Sequence, residues 1–180
     1  GGKYYFMDQE VHLMKERQKS ELHKNHIGFV FQSYHLINEL NVNDNIETPL
    51  IYQKVPSKER KSRVADILDR FNIVAKKDLF PDQLSGGQQR LVGVARAIIG
   101  NPKLILADEP TGNVDSKTTI ELMNILKKIS MTKLVVMVTH EYHLAEYYAD
   151  RIIEIQNGQI IRDETNDKKL DLTRLQEQII

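Results

Sequence analysis

Two motifs near the middle of the chain carry groups that could handle a phosphate. Leu84-Ser85-Gly86-Gly87-Gln88 opens a predicted helix, and the N–H groups at a helix start, unobstructed here by side chains, attract an anion. An apolar predicted strand, residues 104–107, then ends in the adjacent carboxylates of Asp108 and Glu109, which could hold Mg²⁺ and polarise a water. Together the two motifs predict transfer of a phosphoryl group to water.

The apolar pattern of the chain predicts how these motifs are positioned. Apolar runs at residues 27–31, 104–107 and 134–138 predict strands, and the last two have the unbroken apolar character of buried parallel strands. A predicted helix at residues 118–129 joins those two in a right-handed β-α-β crossover. Because ligands of such sheets bind beyond the carboxyl ends of the strands, we expect Asp108, Glu109 and His140 at one site.

Helical character dominates residues 33–99. The Asn-Asp-Asn run at residues 43–45 is predicted to cap a helix, and Pro49 to interrupt it or to start the next turn. Residues 58–71 predict a second helix with a regular apolar face. The helix that opens at Gly86 is predicted to end at residue 99, before Gly100-Asn101-Pro102. We interpret this region as a helical lobe inserted into an α/β core.

The two ends of the chain are predicted as follows. Residues 3–12 read as a strand or hairpin and residues 15–24 as a polar helix, whereas a helix at residues 141–149 precedes a hairpin around Asn157-Gly158, a typical type I′ turn. The residues beyond this hairpin are charged. We therefore expect one partial α/β domain over about residues 1–162 and a charged tail or linker over residues 163–180.

The composition limits the class of protein. With 180 residues, of which 41% are hydrophobic, the chain is long enough for one α/β domain but not for two large ones. Its 25 basic residues balance 25 acidic ones, which disfavours a nucleic-acid partner. The absence of cysteine excludes disulfides and thiolate metal sites. No apolar run approaches the roughly 18 residues of a bilayer-spanning helix, and the many Lys and Glu residues fit a cytoplasmic protein.

Five motifs, in this order, resemble those of the ATP-binding-cassette (ABC) ATPases, a family with a P-loop NTPase-like fold and a mainly parallel sheet. Gln32 is similar to the family's Q-loop, Leu84 to Gln88 to its signature, Leu104 to Glu109 to Walker B, Asp115 to the D-loop and His140 to the switch histidine. The resemblance covers about residues 1–162. It favours the branch that powers lipoprotein release, macrolide or peptide export, and cell-division complexes.

The resemblance implies a role for each of these residues, with ATP and Mg²⁺ as the cofactors. Asp108 and Gln32 would hold the metal, Glu109 would act as general base on the attacking water, and His140 would contact the γ-phosphate. Catalysis is thereby assigned to Glu109, His140 and Gln32. Contacts to the nucleotide are assigned to Ser85, Gly86, Gly87, Gln88 and Asp115.

The resemblance also implies an assembly. Two such chains would sandwich two ATP molecules, so that Ser85, Gly86 and Gly87 of one chain contact the ATP held by the other, while Asp115 touches the partner across the interface. A membrane permease, either a separate subunit or a fused domain, would meet the helical lobe at residues 34–52. We therefore expect the chain at the cytoplasmic face of the membrane, held there by its permease partner.

The chief departure from the family is the phosphate loop G-x-x-x-x-G-K-[ST], which no part of the sequence matches. Gly1-Gly2-Lys3 does not supply it, because Tyr4 stands where a Ser or Thr must hold the metal. We therefore expect an N-terminally truncated fragment that lacks the first strands of the domain, binds ATP poorly and hydrolyses none by itself. A smaller departure is Leu91, where the family commonly has Arg, with Arg90 one place earlier.

Other functions stay open at this point. A non-catalytic ABC-like docking module would also lack the phosphate loop. A soluble, non-transport ABC ATPase that acts on ribosomes would need two cassettes in one chain, and a chromosome-organising ATPase would carry a long coiled coil between Gln32 and Leu84, where none is found. Asp115 also has a sufficient structural reason to exist, because aspartates are common in such turns.

Overall fold

The computed structural model describes residues 2–31, 35–112 and 114–167. Strands β3, β4 and β5 form a parallel sheet in that order, whereas β1 pairs with β2 and β6 with β7 in antiparallel hairpins. The strands of these residues are β1 (Tyr5–Phe6), β2 (Gln9–Glu10), β3 (Ile27–Val30), β4 (Leu104–Asp108), β5 (Leu134–Val138), β6 (Arg151–Gln156) and β7 (Gln159–Thr165).

Except for the second helix, the helices lie where the sequence predicts them, to within two residues at each end. None of those that the structure describes combines the length and the apolar character needed to cross a membrane. The helices are α1 (Glu16–His26), α2 (Val42–Tyr52), α3 (Ser57–Arg70), α4 (Gly86–Ile99), α5 (Ser116–Ser130) and α6 (Tyr142–Tyr148).

The predicted crossover is confirmed. Strand β4 leads through α5 to β5, and Ala107 pairs with Met137 and Asp108 with Val138, so both strands end at the same edge of the sheet. The turn between β6 and β7 is also confirmed, because Asn157 (φ +50°) and Gly158 (φ +75°) both have the positive φ that a type I′ turn requires.

Two details of α2 differ from the prediction. Its N-cap is Asn41, whose side chain accepts the N–H of Asp44 at 2.8 Å, so residues 43–45 lie inside the first turn instead of capping it. Pro49 neither interrupts nor restarts the helix but lies inside it. Ile46 and Leu50 are both 0% exposed, and their burial holds this turn helical although the proline donates no hydrogen bond.

One apolar core joins the helices to the sheet. Its members come from α2, α3 and α4 as well as from β3, β4 and α5, so the described part of the predicted lobe packs directly on the α/β part. Strand β7 continues to Thr165, and the Asn166 side chain donates to the Ala149 carbonyl at 2.9 Å. The division into a domain over about residues 1–162, with a lobe at 33–99, and a tail over 163–180 stays a prediction.

The prediction that β5 is a buried strand is wrong. Leu134, Val136 and Val138 are 62%, 44% and 60% exposed, although β4 buries Ile105 and Ala107 on the opposite face of the sheet. The physical reason is that, in the described residues, β5 pairs only with β4 and therefore forms an edge of the sheet. Its apolar composition is that of an interior strand, but one face and one edge are open.

Candidate functional site

Glu109 and His140 meet where β4 and β5 end. The backbone N–H of His140 donates to Glu109 Oε1 at 3.0 Å, and the ring Nδ1 of His140 lies 2.7 Å from the same oxygen. The pKa of the imidazole is raised above its usual value, first by this hydrogen bond and then by the charge of the carboxylate. The structure thus brings together two of the residues that the sequence assigns to catalysis.

The backbone of Glu109 is in an uncommon conformation. Its φ is +45°, in the left-handed region that residues other than glycine rarely adopt, and its N–H donates to the Val138 carbonyl at 2.9 Å. The carboxylate oxygen Oε2 is buried and has no hydrogen-bond partner within the described residues. Because a buried oxygen without a donor is costly, the geometry favours a bound molecule, such as a water, that donates to Oε2.

The turn after Glu109 is fixed from two sides. Thr111 Oγ1 donates to Glu141 Oε1 at 2.7 Å, which joins the turn to the residue after His140. On the other side, Nη1 of Arg90 in α4 donates to the Pro110 carbonyl. Arg90 is 1% exposed, so this charged side chain lies inside the protein and not on the surface of the helix.

Helix α4 begins with a reciprocal cap. Ser85 Oγ accepts the N–H of Gln88 at 3.2 Å, and Gln88 Oε1 accepts the N–H of Ser85 at 3.0 Å. The first backbone bond of the helix runs from the Gln89 N–H to the Ser85 carbonyl at 2.9 Å, so the N–H groups of Gly86 and Gly87 precede it. Ser85 and Gly86 are exposed. The helix start is therefore suited to an anion.

Asp115 belongs to the same neighbourhood as this helix start. It is the N-cap of α5, and its carboxylate accepts the Thr118 hydroxyl at 2.6 Å and the Thr118 N–H at 3.0 Å, which lowers the pKa of the carboxyl. Thr118 in turn packs against Gly87, where an added Cβ would lie 2.7 Å from Thr118 Cγ2. The structure therefore shows a capping role for Asp115, while its contact with a partner chain stays a prediction.

Asp108, the predicted metal ligand, is exposed at the end of β4. No group of three or more His, Cys, Asp or Glu side chains that could hold a metal occurs in the part of the chain that the structure describes. Mg²⁺ commonly takes one or two protein carboxylates and completes its shell with phosphate oxygens and waters, so an exposed carboxylate at a strand end fits it. Gln32, the other predicted ligand, lies outside the described residues.

Two side chains that the sequence analysis missed hold the segment that begins at His35. Asn45, which is 0% exposed, accepts the Ile37 N–H at 2.8 Å and donates to the Leu40 carbonyl at 2.8 Å. Arg96 of α4 donates to the His35 carbonyl at 2.9 Å. Asn45 did carry a signal in the sequence, because a polar residue within the apolar face of a helix is commonly buried to bind backbone groups.

The parallel sheet, the acid–histidine pair at its edge and the capped glycine helix together define an ATP-binding cassette, and sequence comparison agrees. The family model described as "ABC transporter" matches residues 2–112 of the chain. The chain belongs to the ABC transporter family.

Several relatives that the chain matches are larger proteins. The macrolide export ATP-binding/permease protein MacB of Vibrio parahaemolyticus is 41% identical over 166 residues, which make up 92% of this chain and 25% of that protein. MacB of Bartonella henselae is 41% identical over 180 residues, which make up 99% of this chain and 27% of that protein. The chain therefore spans about a quarter of the length of these relatives.

A solved structure confirms the predicted fold class. The ATP-binding cassette MJ0796, solved as a dimer in a post-hydrolysis state bound to ADP and Pi, matches with a TM-score of 0.82 and 36% sequence identity. The match covers 92% of this chain and 73% of that one.

Proposed function

We propose that this chain is part of the ATP-hydrolysing component of an ABC transporter, in which hydrolysis drives transport through a membrane permease. The observation that carries the proposal is the pairing of Glu109 with His140 at the ends of two adjacent parallel strands, where Glu109 Oε2 is buried and has no hydrogen-bond partner within the described residues. Family membership supports nucleotide binding. The names of the curated relatives, which combine ATP binding with a permease, support coupling to transport.

Glu109 is the general base in this proposal. Since His140 occupies Oε1, Oε2 is the oxygen that accepts the proton of the attacking water. The two contacts from His140 to Oε1 limit the movement of the carboxylate, so the base is positioned before the substrate binds. The pKa of His140 is raised, which favours the charged imidazolium, and its Nε2 is the ring nitrogen left for the γ-phosphate.

Metal and nucleotide contacts follow from the remaining residues. Asp108 and Gln32 would hold Mg²⁺, which when bound neutralises the charge of the phosphates. In a second copy of the chain, the nucleotide would be met by the N–H groups of the α4 start and by Asp115, in agreement with the dimeric state of the solved cassette. The residues of this second group are Ser85, Gly86, Gly87, Gln88 and Asp115.

The proposed partners are a second ATPase chain and a permease that is either a separate subunit or a fused domain. Residues 34–52 are the proposed permease contact, and within them Ile51 and Tyr52 are exposed apolar side chains at the end of α2. A chain bound in this way is peripheral to the membrane, on its cytoplasmic face.

The experiment is the Glu109→Gln variant of the whole protein that contains this chain. The amide keeps the shape of the side chain but cannot accept the proton, so we expect hydrolysis to stop while ATP still binds and an ATP-bound dimer accumulates. Phosphate release measures the first effect, and size-exclusion chromatography with ATP measures the second. Asp163→Asn is the matched control, because Asp163 pairs with Arg151 on the β6–β7 hairpin and should leave turnover unchanged. Normal turnover by Glu109→Gln would refute the assignment.

A further inference from the structure

Arg90 is the most deeply buried charged side chain near the proposed site. It is 1% exposed, and the Pro110 residue whose carbonyl it binds is itself fully buried. A hydrogen bond from a charged donor in such surroundings is strong. The contact fixes the backbone of the residue that directly follows Glu109.

The position of Arg90 in α4 links this contact to the start of the helix. Arg90 follows Gly86 by four residues, so both lie on the same face of the helix, one turn apart. The turn that carries the exposed Ser85 and Gly86 is therefore stacked on the turn that binds Pro110. A shift of the helix start along its axis would therefore also move the side chain that binds the Pro110 carbonyl.

A second contact joins the start of α4 to α5. Gly87 packs so closely against Thr118 that an added Cβ would lie 2.7 Å from Cγ2 and 2.8 Å from Oγ1. Thr118 is bonded to Asp115. The first two turns of α4 thus contact both Pro110, which follows Glu109, and Thr118 in α5.

From these contacts we propose that Arg90 is a positioning residue for Glu109. Through the Pro110 carbonyl it joins the general base of one ATP site to the helix start that contacts the nucleotide of the other. Glu109 and the start of α4 then keep their relative positions when the dimer closes. The resemblance to the family does not supply this role, because it places the arginine at the position of Leu91. The inference rests on the proposed function.

The test compares three variants of the whole protein in steady-state ATP hydrolysis. Arg90→Met removes the donor but keeps an apolar chain of similar length, and we expect kcat to fall about 10- to 100-fold, with the KM for Mg-ATP changed less than about twofold. Arg90→Lys keeps a charged donor with poorer reach, and we expect a kcat between those of Arg90→Met and the wild type, at least about threefold below the wild type. Leu91→Ala is the matched control, since Leu91 is buried in the same helix and its truncation should lower the melting temperature without lowering kcat.

The outcomes separate this inference from the proposed function. A wild-type protein that hydrolyses no ATP contradicts the proposed function itself. If the wild type is active, an unchanged kcat in Arg90→Met overturns the inference, as does an equal loss of kcat in Leu91→Ala. If Arg90→Met does not fold, Arg90→Lys decides: a threefold or larger loss of kcat at constant KM supports the inference, and a wild-type kcat overturns it.

Discussion

Replacing Gly87 by alanine should destabilise the protein, although alanine is normally the better residue in a helix. The added Cβ would lie 2.7 Å from Thr118 Cγ2, about 1 Å short of an ordinary carbon–carbon contact of roughly 3.5–4.0 Å. Thr118 cannot easily move away, because its side chain is β-branched and is bonded to Asp115. The starts of α4 and α5 must then separate, and such overpacking costs about 1–3 kcal/mol.

The measurement is urea unfolding of the purified chain, followed by far-UV circular dichroism. Gly2→Ala is the control, because an added Cβ there meets nothing within 4 Å. The decisive variant is the double mutant Gly87→Ala/Thr118→Ala, in which the smaller side chain makes room for the new methyl group. We expect it to recover about 1–2 kcal/mol relative to the sum of the single variants.

Two results would refute this reasoning. Gly87→Ala could unfold at the same urea concentration as the wild type, which would mean that the two helix starts separate at no cost. Alternatively, the effects of the single variants could add in the double mutant, which would mean that the cost of Gly87→Ala does not arise from contact with Thr118.

The remaining predictions concern the same site and its supports. In an NMR titration of this chain, the pKa of His140 should lie above its ordinary value and return toward it in Glu109→Gln. Because the pKa is raised in the folded state, the pair stabilises the fold fully at a pH below the ordinary pKa of about 6.5. This stabilisation is lost as the pH rises through the raised pKa. Asn45→Ala should lower the free energy of unfolding by about 1–3 kcal/mol, because buried backbone groups lose their partner, whereas Asn43→Ala should change it by less than about 0.5 kcal/mol. By calorimetry the 180-residue chain alone should show no micromolar affinity for Mg-ATP, and tight binding would contradict the importance given to the phosphate loop.

Local patterns were sufficient for most of the fold. The sequence pattern placed every helix except α2 to within two residues at each end, and strict turn chemistry identified the hairpin at Asn157-Gly158. The errors arose where distant packing decides. Pro49 stays in a helix because its neighbours are buried by other elements, and β5 is open because burial depends on which elements cover a strand and not on its composition.

In the candidate site, too, some features were predictable from the sequence and others were not. Asp108, Glu109 and His140 were predictable because parallel strands deliver their following residues to one edge. The contacts that hold them were not, since Arg90 meets Pro110 across 20 positions of the sequence and Thr111 meets Glu141 across 30. Because every residue has a backbone carbonyl, the sequence does not indicate which carbonyl Arg90 binds.

The exposed edge strand β5 should affect how the chain behaves in concentrated solution. Leu-Val-Val-Met-Val has high β-propensity, no charge and no proline, and in the described residues its outer edge offers unpaired backbone groups beside exposed Leu134, Val136 and Val138. Such an edge is a template for intermolecular strand pairing. Self-association should therefore begin at β5 and increase with protein concentration, and a charged residue at Val136 should delay it.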